Sequence, residues 1–404
     1  MVHRAANILT LRDKVQHGVR RRILSQGFSD SALRGFEPAI LTQIEKFTNK
    51  ISPGGDKGNG KWSIAWNMSR ECDYLAFDMM ADIVFSRSYN AIEKPDYQHI
   101  PQSIEGSNVR ISVLIQAAEL RFWRLDKKLF PASIKARDSF VKFVSEMVAS
   151  RLSSKRSDYK DILSLVQNAR DPETGEKFST KEIAAESATL VVAGTDTTST
   201  TLTALLFYLS RNPRAYHLAT SEIRSAFASL SEIRAGSKLN SCVYLRACVD
   251  ETMRISPSVG GSLWREVGSG GAIIDGIPIP AGFDVGTGIY AMHHNAAYYP
   301  EPEVWRPKRW LKGKEGQVEA GIVPYGPFGV GPRSCIGKPL AYLELMLTAA
   351  VLLWKFEFRD EDKRFHFGRM NKNDIRESGQ FRLRDHVTAA KYGPMLQFSL
   401  REGN

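Results

Sequence analysis

Residues 328–337 read FGVGPRSCIG, one cysteine among three glycines, and the stretch leads into Pro339, Leu340, Leu343, Leu347, Val351 and Trp354. That spacing predicts an apolar-faced helix over about residues 338–355, with Cys335 just ahead of its first turn. A thiolate rather than a thiol binds a metal, and backbone N–H groups at the positive end of a helix dipole favour the anion. Cys335 is placed to receive both. Gly329, Gly331 and Gly337 remove side chains that would hold the backbone away from the sulfur or from a flat group lying on it. Arg333 can turn toward an anionic group, and Phe328 can act as an apolar shield. A Walker-type phosphate loop is excluded, because five residues separate Gly331 from Gly337 and Pro339 follows Lys338. A zinc site is disfavoured, since no other Cys or His lies within ten residues of Cys335. An inert buried cysteine is the remaining alternative.

The rest of the composition describes an ordinary globular chain, with 43% hydrophobic and 25% charged residues among 404. The organisation reads as one domain over residues 1–404, mainly α with a minor β portion. The longest uncharged apolar run, Leu345 to Trp354, is about half of a membrane span, and MVHRAANILTLRDK at the N-terminus lacks the apolar segment of a signal peptide. Four cysteines give no disulfide framework and suit a reducing compartment. The net charge of +11 is scattered, with only Arg20, Arg21 and Arg22 uninterrupted, which argues against nucleic acid and for an acidic protein partner.

Residues 11–50 read as helices, with a start at Ser29 or Asp30, and SPGGDKGNGKW (52–62) as a loop. Residues 67–170 read as mainly helical, broken near Pro95, Pro101 and Pro131. The capping box Ser179–Glu182 opens a helix predicted to run to about Arg211, roughly 45 Å, with helix continuing to about Ile255. GAIIDGIPIPAGFDV (271–285) indicates hairpins, and the last forty residues read as short strands.

Within the long helix, VVAGTDTTSTT (191–201) is a run of poor helix formers, Gly194 alone costing about 1 kcal/mol relative to alanine. Either the helix ends and a new cap forms at Thr195 or Asp196, or it opens locally. In the second case Gly194 allows a ligand close, while Thr197 and Asp196 supply a hydroxyl and an acid for proton delivery.

FGVGPRSCIG resembles the haem-binding loop of the cytochrome P-450 family, F-x-x-G-x-R-x-C-x-G, matching at Phe328, Gly331, Arg333, Cys335 and Gly337. The resemblance implies the cytochrome P-450 fold and a haem b (iron protoporphyrin IX) whose axial iron ligand is Cys335, a ligand type that favours O–O cleavage. Ala193 to Thr198 is similar to the family's oxygen-activation motif, which implies that Thr197 holds the oxygen being activated while Asp196 relays protons through water. Glu251 and Arg254 in DETMR share a helix face and taken alone would be a surface pair. By resemblance they form a network with Arg309 of WRPKRW that holds the cysteine loop, although Lys308 stands where the family has an acid. KVQHGVRRRILSQGFS (14–29) resembles the family's propionate-binding helix, with His17 at its tryptophan position and Arg21 at its arginine; Arg265 and Arg333 match further propionate contacts. A solvated basic helix face is the alternative there. His293 and His294 read as packing and hydrogen-bonding residues rather than metal ligands. Weaker substrate-facing candidates are Leu190, Ala193, Thr198, Val259, Leu263 and Thr388.

The closing DHVTAAKYGPMLQF resembles fungal secondary-metabolism members. The family's arginine helix normally follows about a hundred residues that include a membrane anchor, whereas here it begins near residue 14, so the chain reads as N-terminally shortened. The resemblance implies a monooxygenase that inserts one atom of O2 into a lipophilic small molecule by hydroxylation or epoxidation, fed by an NADPH-dependent flavoprotein reductase. It also implies the cytoplasmic face of the endoplasmic reticulum with possible peripheral membrane contact, or a soluble protein where the anchor is lacking. The competing functions are an O2-independent haem-thiolate isomerase or dehydratase, against which Asp196-Thr197 argues, and a non-catalytic haem-binding remnant.

Overall fold

The computed structural model describes residues 5–54, 61–154, 160–170, 175–313, 324–361 and 379–401. Its helices are α1 (Lys14–Ser25), α2 (Asp30–Ile51), α3 (Met68–Phe85), α4 (His99–Gln116), α5 (Leu125–Leu129), α6 (Pro131–Leu152), α7 (Ile162–Asn168), α8 (Thr180–Arg211), α9 (Pro213–Ala226), α10 (Ser237–Asn240), α11 (Val243–Ile255), α12 (Ile289–His293) and α13 (Lys338–Lys355). The strands are β1 (Trp66–Asn67), β2 (Arg265–Glu266), β3 (Ala272–Ile274), β4 (Ile277–Ile279), β5 (Asp284–Val285), β6 (Phe356–Asp360), β7 (Leu383–His386), β8 (Thr388–Lys391) and β9 (Met395–Leu400). The mainly α reading holds. No helix among the described residues is long and apolar enough to cross a membrane.

The core forms around α3 and α8, which pack along each other; nearly every residue of α3 is buried, its acids Glu71, Asp73 and Asp78 included. The Ser179–Glu182 capping box is formed on both sides, and α8 then runs 32 residues, about 48 Å, to Arg211. α13 packs against α8, α9 and α11 and carries the chain from the cysteine loop into the core. One antiparallel sheet, in the order β1-β9-β6, closes a side: Phe356 pairs with Leu400 and Phe358 with Phe398, so alternate residues turn their rings inward. Three two-stranded ribbons, β2–β5, β3–β4 and β7–β8, complete the β portion of the described residues.

Several local expectations change. The segment after Arg211 is not one helix to Ile255: α9 stops at Ala226, and α11 restarts where the Glu222 carboxylate accepts the N–H groups of Tyr244 and Leu245, a cap supplied from outside the helix. Pro101 does not break the chain; it sits in the first turn of α4, where its missing N–H had no helical partner. Most of the glycine-rich stretch between 52 and 62, residues 55–60, lies outside the described residues.

Candidate functional site

The cysteine loop is fixed by its own backbone. Cys335 N–H donates to Phe328 O at 2.8 Å and Ser334 N–H to Gly331 O at 3.0 Å. Gly329 and Gly331 have φ of +65° and +75°, so the turn needs residues without a Cβ. Gly337 has an ordinary backbone, and a Cβ there would lie 3.8 Å from the Cys335 sulfur, an ordinary contact that does not require glycine. Phe328 packs on Tyr342, with ring centroids 5.3 Å apart. Arg21 reaches across from α1 to donate to Ser334 O at 2.7 Å, and Arg333 donates to Leu11 O at 2.7 Å, so the loop is tied at Ser334 to α1 and at Arg333 to the segment just before it.

Cys335 is the one exposed cysteine of four. Protein nonetheless surrounds the sulfur closely enough that desolvation raises its pKa, against the backbone N–H groups of Gly337 and Lys338 and the charge of Arg21. The helix start alone therefore does not make the thiolate. A group that a solvent probe reaches while packed protein desolvates it lies in a recess, not on a convex surface.

Support for the loop comes from a buried network. Glu251, Arg254 and Arg309 are all fully buried. Glu251 receives Arg254 through two bonds of 2.9 Å, Arg309 Nε at 3.1 Å, the Arg306 N–H at 2.8 Å and Trp310 Nε1 at 3.0 Å. The pair that sequence alone would leave on the surface is thus the centre of a five-donor cage. Arg254 also donates to His293 O at 2.8 Å. Burial and the nearby Arg254 push the His293 imidazole down to about 4, so it is neutral at neutral pH; its Nδ1 lies 3.2 Å from Arg254 O, and its Nε2 accepts Gly326 N–H at 3.1 Å. The network therefore reaches the chain two residues before Phe328. His294, by contrast, stacks on Tyr290.

On α8 the helix neither ends nor opens at Gly194; residues 180–211 stay α-helical throughout. Gly194 serves packing rather than ligand approach, because a Cβ there would fall 2.2 Å from the Met80 sulfur of α3. Ala193 is exposed, and Val192, Gly194 and, one turn on, Thr197 are half-buried, in a helix otherwise mostly interior. The Thr197 hydroxyl donates to Ala193 O at 2.6 Å. Thr198 points elsewhere, donating to Glu344 of α13 at 3.0 Å. Burial lifts that glutamic acid to about 8, and its Oε1 has no partner. Leu190 lies in the core, Val259 is half-buried and Leu263 is exposed beside the loop, 4.0 Å from where a Gly329 Cβ would stand. Asp196 is buried and bonded to Asn108 of α4 and to Thr388.

The cations expected together do converge. His17 is buried, and burial, then Arg333, Arg21 and Arg265, hold its imidazole below the usual range. No carboxylate among the described residues pairs with Arg21, Arg333 or Arg265, whereas Arg20 is spent on Glu186 and Glu182 of α8. Sequence reasoning missed Asn108, for which no signal existed. It also missed Glu344, whose signal was a lone acid within the apolar LAYLELMLTAAVLL.

This donor set fits a haem. The described residues hold no cluster of three or more metal-ligating side chains, so a metal at Cys335 must bring most of its own ligands. Cations without acid partners suit its two carboxylates. The chain matches the family model described as Cytochrome P450 over residues 2–373.

The chain belongs to the cytochrome P450 family.

A cytochrome P450 monooxygenase of Gibberella zeae is 48% identical over 406 residues, spanning 100% of this P450 and 93% of that protein. Cytochrome P450 monooxygenase AKT7 of Alternaria alternata is 44% identical over 415 residues, spanning 98% of this chain and 78% of that one. The crystal structure of the cytochrome P450DA heme domain matches with a TM-score of 0.75 at 22% identity, covering 98% of this chain and 79% of its own, a likeness of fold. Membership makes the protein an oxidoreductase with a haem-thiolate cofactor.

Proposed function

We propose that this P450 is a monooxygenase that inserts one atom of O2 into a lipophilic small molecule, by hydroxylation or epoxidation, in secondary-metabolite biosynthesis. The observation that carries the reading is the recessed thiol of Cys335, held in a turn pinned at Phe328 and Ser334 and backed by the Glu251 cage. Cys335 would ligate the iron of a haem b, and His17, Arg21, Arg265 and Arg333 would hold its propionates. When bound, the haem supplies the reduction of O2 and the transfer of one of its oxygens. Thr197, whose O–H is given to Ala193 O, keeps its lone pairs free to accept a proton donor on the uncovered side of α8. Asp196, buried and lifted to about 6, sits in the range where a carboxyl can both hold and release a proton near neutrality.

Electrons come from an NADPH-dependent flavoprotein reductase, whose acidic surface suits the net charge of +11. Peripheral membrane contact is supported by Phe122 and Trp123, 69% and 87% exposed and flanked by Arg121, Arg124, Lys127 and Lys128; the cytoplasmic face of the endoplasmic reticulum rests on the family resemblance alone. The test is turnover of a metabolite extract with reductase under 18O2. One labelled oxygen atom in the product, dependent on NADPH, is expected; a product formed without NADPH or without label would replace the reading with an isomerase or dehydratase.

A further inference from the structure

Residues 196 and 197 are adjacent on α8 and so project about 100° apart. Thr197 reaches the uncovered side, and Asp196 is buried on another. One oxygen of Asp196, Oδ2, accepts from Asn108 Nδ2 at 3.1 Å and from the Thr388 hydroxyl, while the same Asn108 nitrogen donates to Thr388 Oγ1 at 2.7 Å. Three elements therefore meet on one carboxylate: α8, α4 and the start of β8. The turn before Thr388 is a single residue, because His386 pairs with Thr388. That residue, Val387, has φ of +76°, a conformation strained for a β-branched side chain. The strain persists because the hairpin is held elsewhere: Ala389 N–H donates to Ser258 O at 2.8 Å, and the Thr200 hydroxyl donates to Ala389 O at 3.3 Å. A turn so constrained presents the Thr388 hydroxyl at one place.

The charged groups facing Asp196 come from three elements. Lys391 of β8 is paired with Asp73 of α3 at 2.7 Å and lies 3.0 Å from Ser199 Oγ; Glu105 of α4 is paired with Arg70 at 3.2 Å. Burial drives the Asp196 carboxyl up to about 6, Lys391 and the Thr388 hydroxyl oppose that rise, and Asp73 and Glu105 add to it.

The geometry points to Asn108 and Thr388 as positioning residues that hold the Asp196 carboxylate toward α4 and the hairpin, and so set when this acid passes a proton toward Thr197. The inference rests on the proton-delivery role proposed above. Asp196 gives up its proton, the carboxylate left behind is the form that both donors and Lys391 stabilise, and water returns a proton to it.

The experiment uses the haem-loaded full chain and needs no identified substrate. The protonated carboxyl band of Asp196, assigned by its loss in Asp196→Asn, is titrated by infrared spectroscopy, and peroxide released per NADPH oxidised with reductase is measured against pH. In the wild type the band disappears with a midpoint near 6. Thr388→Val and Asn108→Ala each remove a donor to the charged form, so the midpoint moves up to roughly 7, and the pH dependence of the peroxide share moves with it. Thr388→Ser, which keeps the hydroxyl and tests folding of the hairpin, restores both. An unchanged midpoint in both donor-deleting variants overturns the clamp, as does a shifted midpoint with an unshifted peroxide profile. Asp196→Asn with a wild-type peroxide share overturns the proton-delivery reading itself, which the infrared midpoint alone does not test.

Discussion

The imidazole of His293 accepts the backbone N–H of Gly326 at 3.1 Å, two residues before the cysteine loop opens. A protonated ring cannot accept that bond, and it would place a second cation beside Arg254. Folded His293 titrates at about 4 against 6.5 when unfolded, so between those values the unfolded chain binds the extra proton. This contribution to stability is complete above pH 6.5 and is lost as pH falls toward 4, by about 3 kcal/mol. Denaturant unfolding of the wild type and His293→Gln at several pH values should show a difference that shrinks across this window; a constant difference contradicts the assignment.

Glu251 compensates two buried guanidinium groups at once. Replacing it by Gln leaves Arg254 and Arg309 buried without an anion, an expected loss of about 3–5 kcal/mol. Denaturant unfolding measures it, and a loss below about 1 kcal/mol would show the cage to be dispensable.

Glu344 presents the opposite sign. Its folded value of about 8 against 4.5 for the unfolded carboxyl means that the native state binds the extra proton, so stability is greatest below 4.5 and falls as pH rises toward 8. Glu344→Gln mimics the protonated acid. Relative to this variant the wild type should lose on the order of 3 kcal/mol between about pH 5 and about pH 7.5, and a pH-independent difference would mean that the acid is ionised in the fold.

How much of this was legible beforehand follows from which interactions are local. α13, α8 with its capping box, and the Ser29 cap of α2 were readable, because periodicity and capping act over a few residues. The cysteine turn was readable too, since positive φ selects glycine at 329 and 331. What chain spacing could not show was long-range: Met80 filling the space at Gly194, Glu222 capping α11, and Asn108 meeting Asp196 across 88 residues. The VVAGTDTTSTT run stays helical because tertiary contacts take up its polar groups, Thr198 on Glu344 and Ser199 on Asp73. Those partners offset the poor propensity that suggested a break.

The Thr197 hydroxyl stands on the uncovered side of α8 beside exposed Ala193. Thr197→Ala should raise the peroxide formed per NADPH oxidised severalfold, with Thr197→Ser close to wild type, as read by a peroxide assay alongside NADPH absorbance. Equal peroxide in all three would remove Thr197 from proton handling.

Arg21, Arg265 and Arg333 gather around His17 and lack an acid partner among the described residues. Arg21→Ala should weaken haem retention about tenfold or more, measured by haem transfer to an acceptor protein, if Arg21 holds a propionate as proposed; the tie to Ser334 is lost with it. Transfer at the wild-type rate would place the propionates elsewhere.

The optical spectrum of the reduced protein under carbon monoxide, recorded for the wild type and for Cys335→Ser, tests ligand and cofactor together. The wild type should show the red-shifted Soret band of a thiolate-bound haem, and Cys335→Ser should lose it. Wild-type protein that binds haem without that band, or a Cys335→Ser protein that keeps it, would contradict the assignment of Cys335 as the iron's ligand.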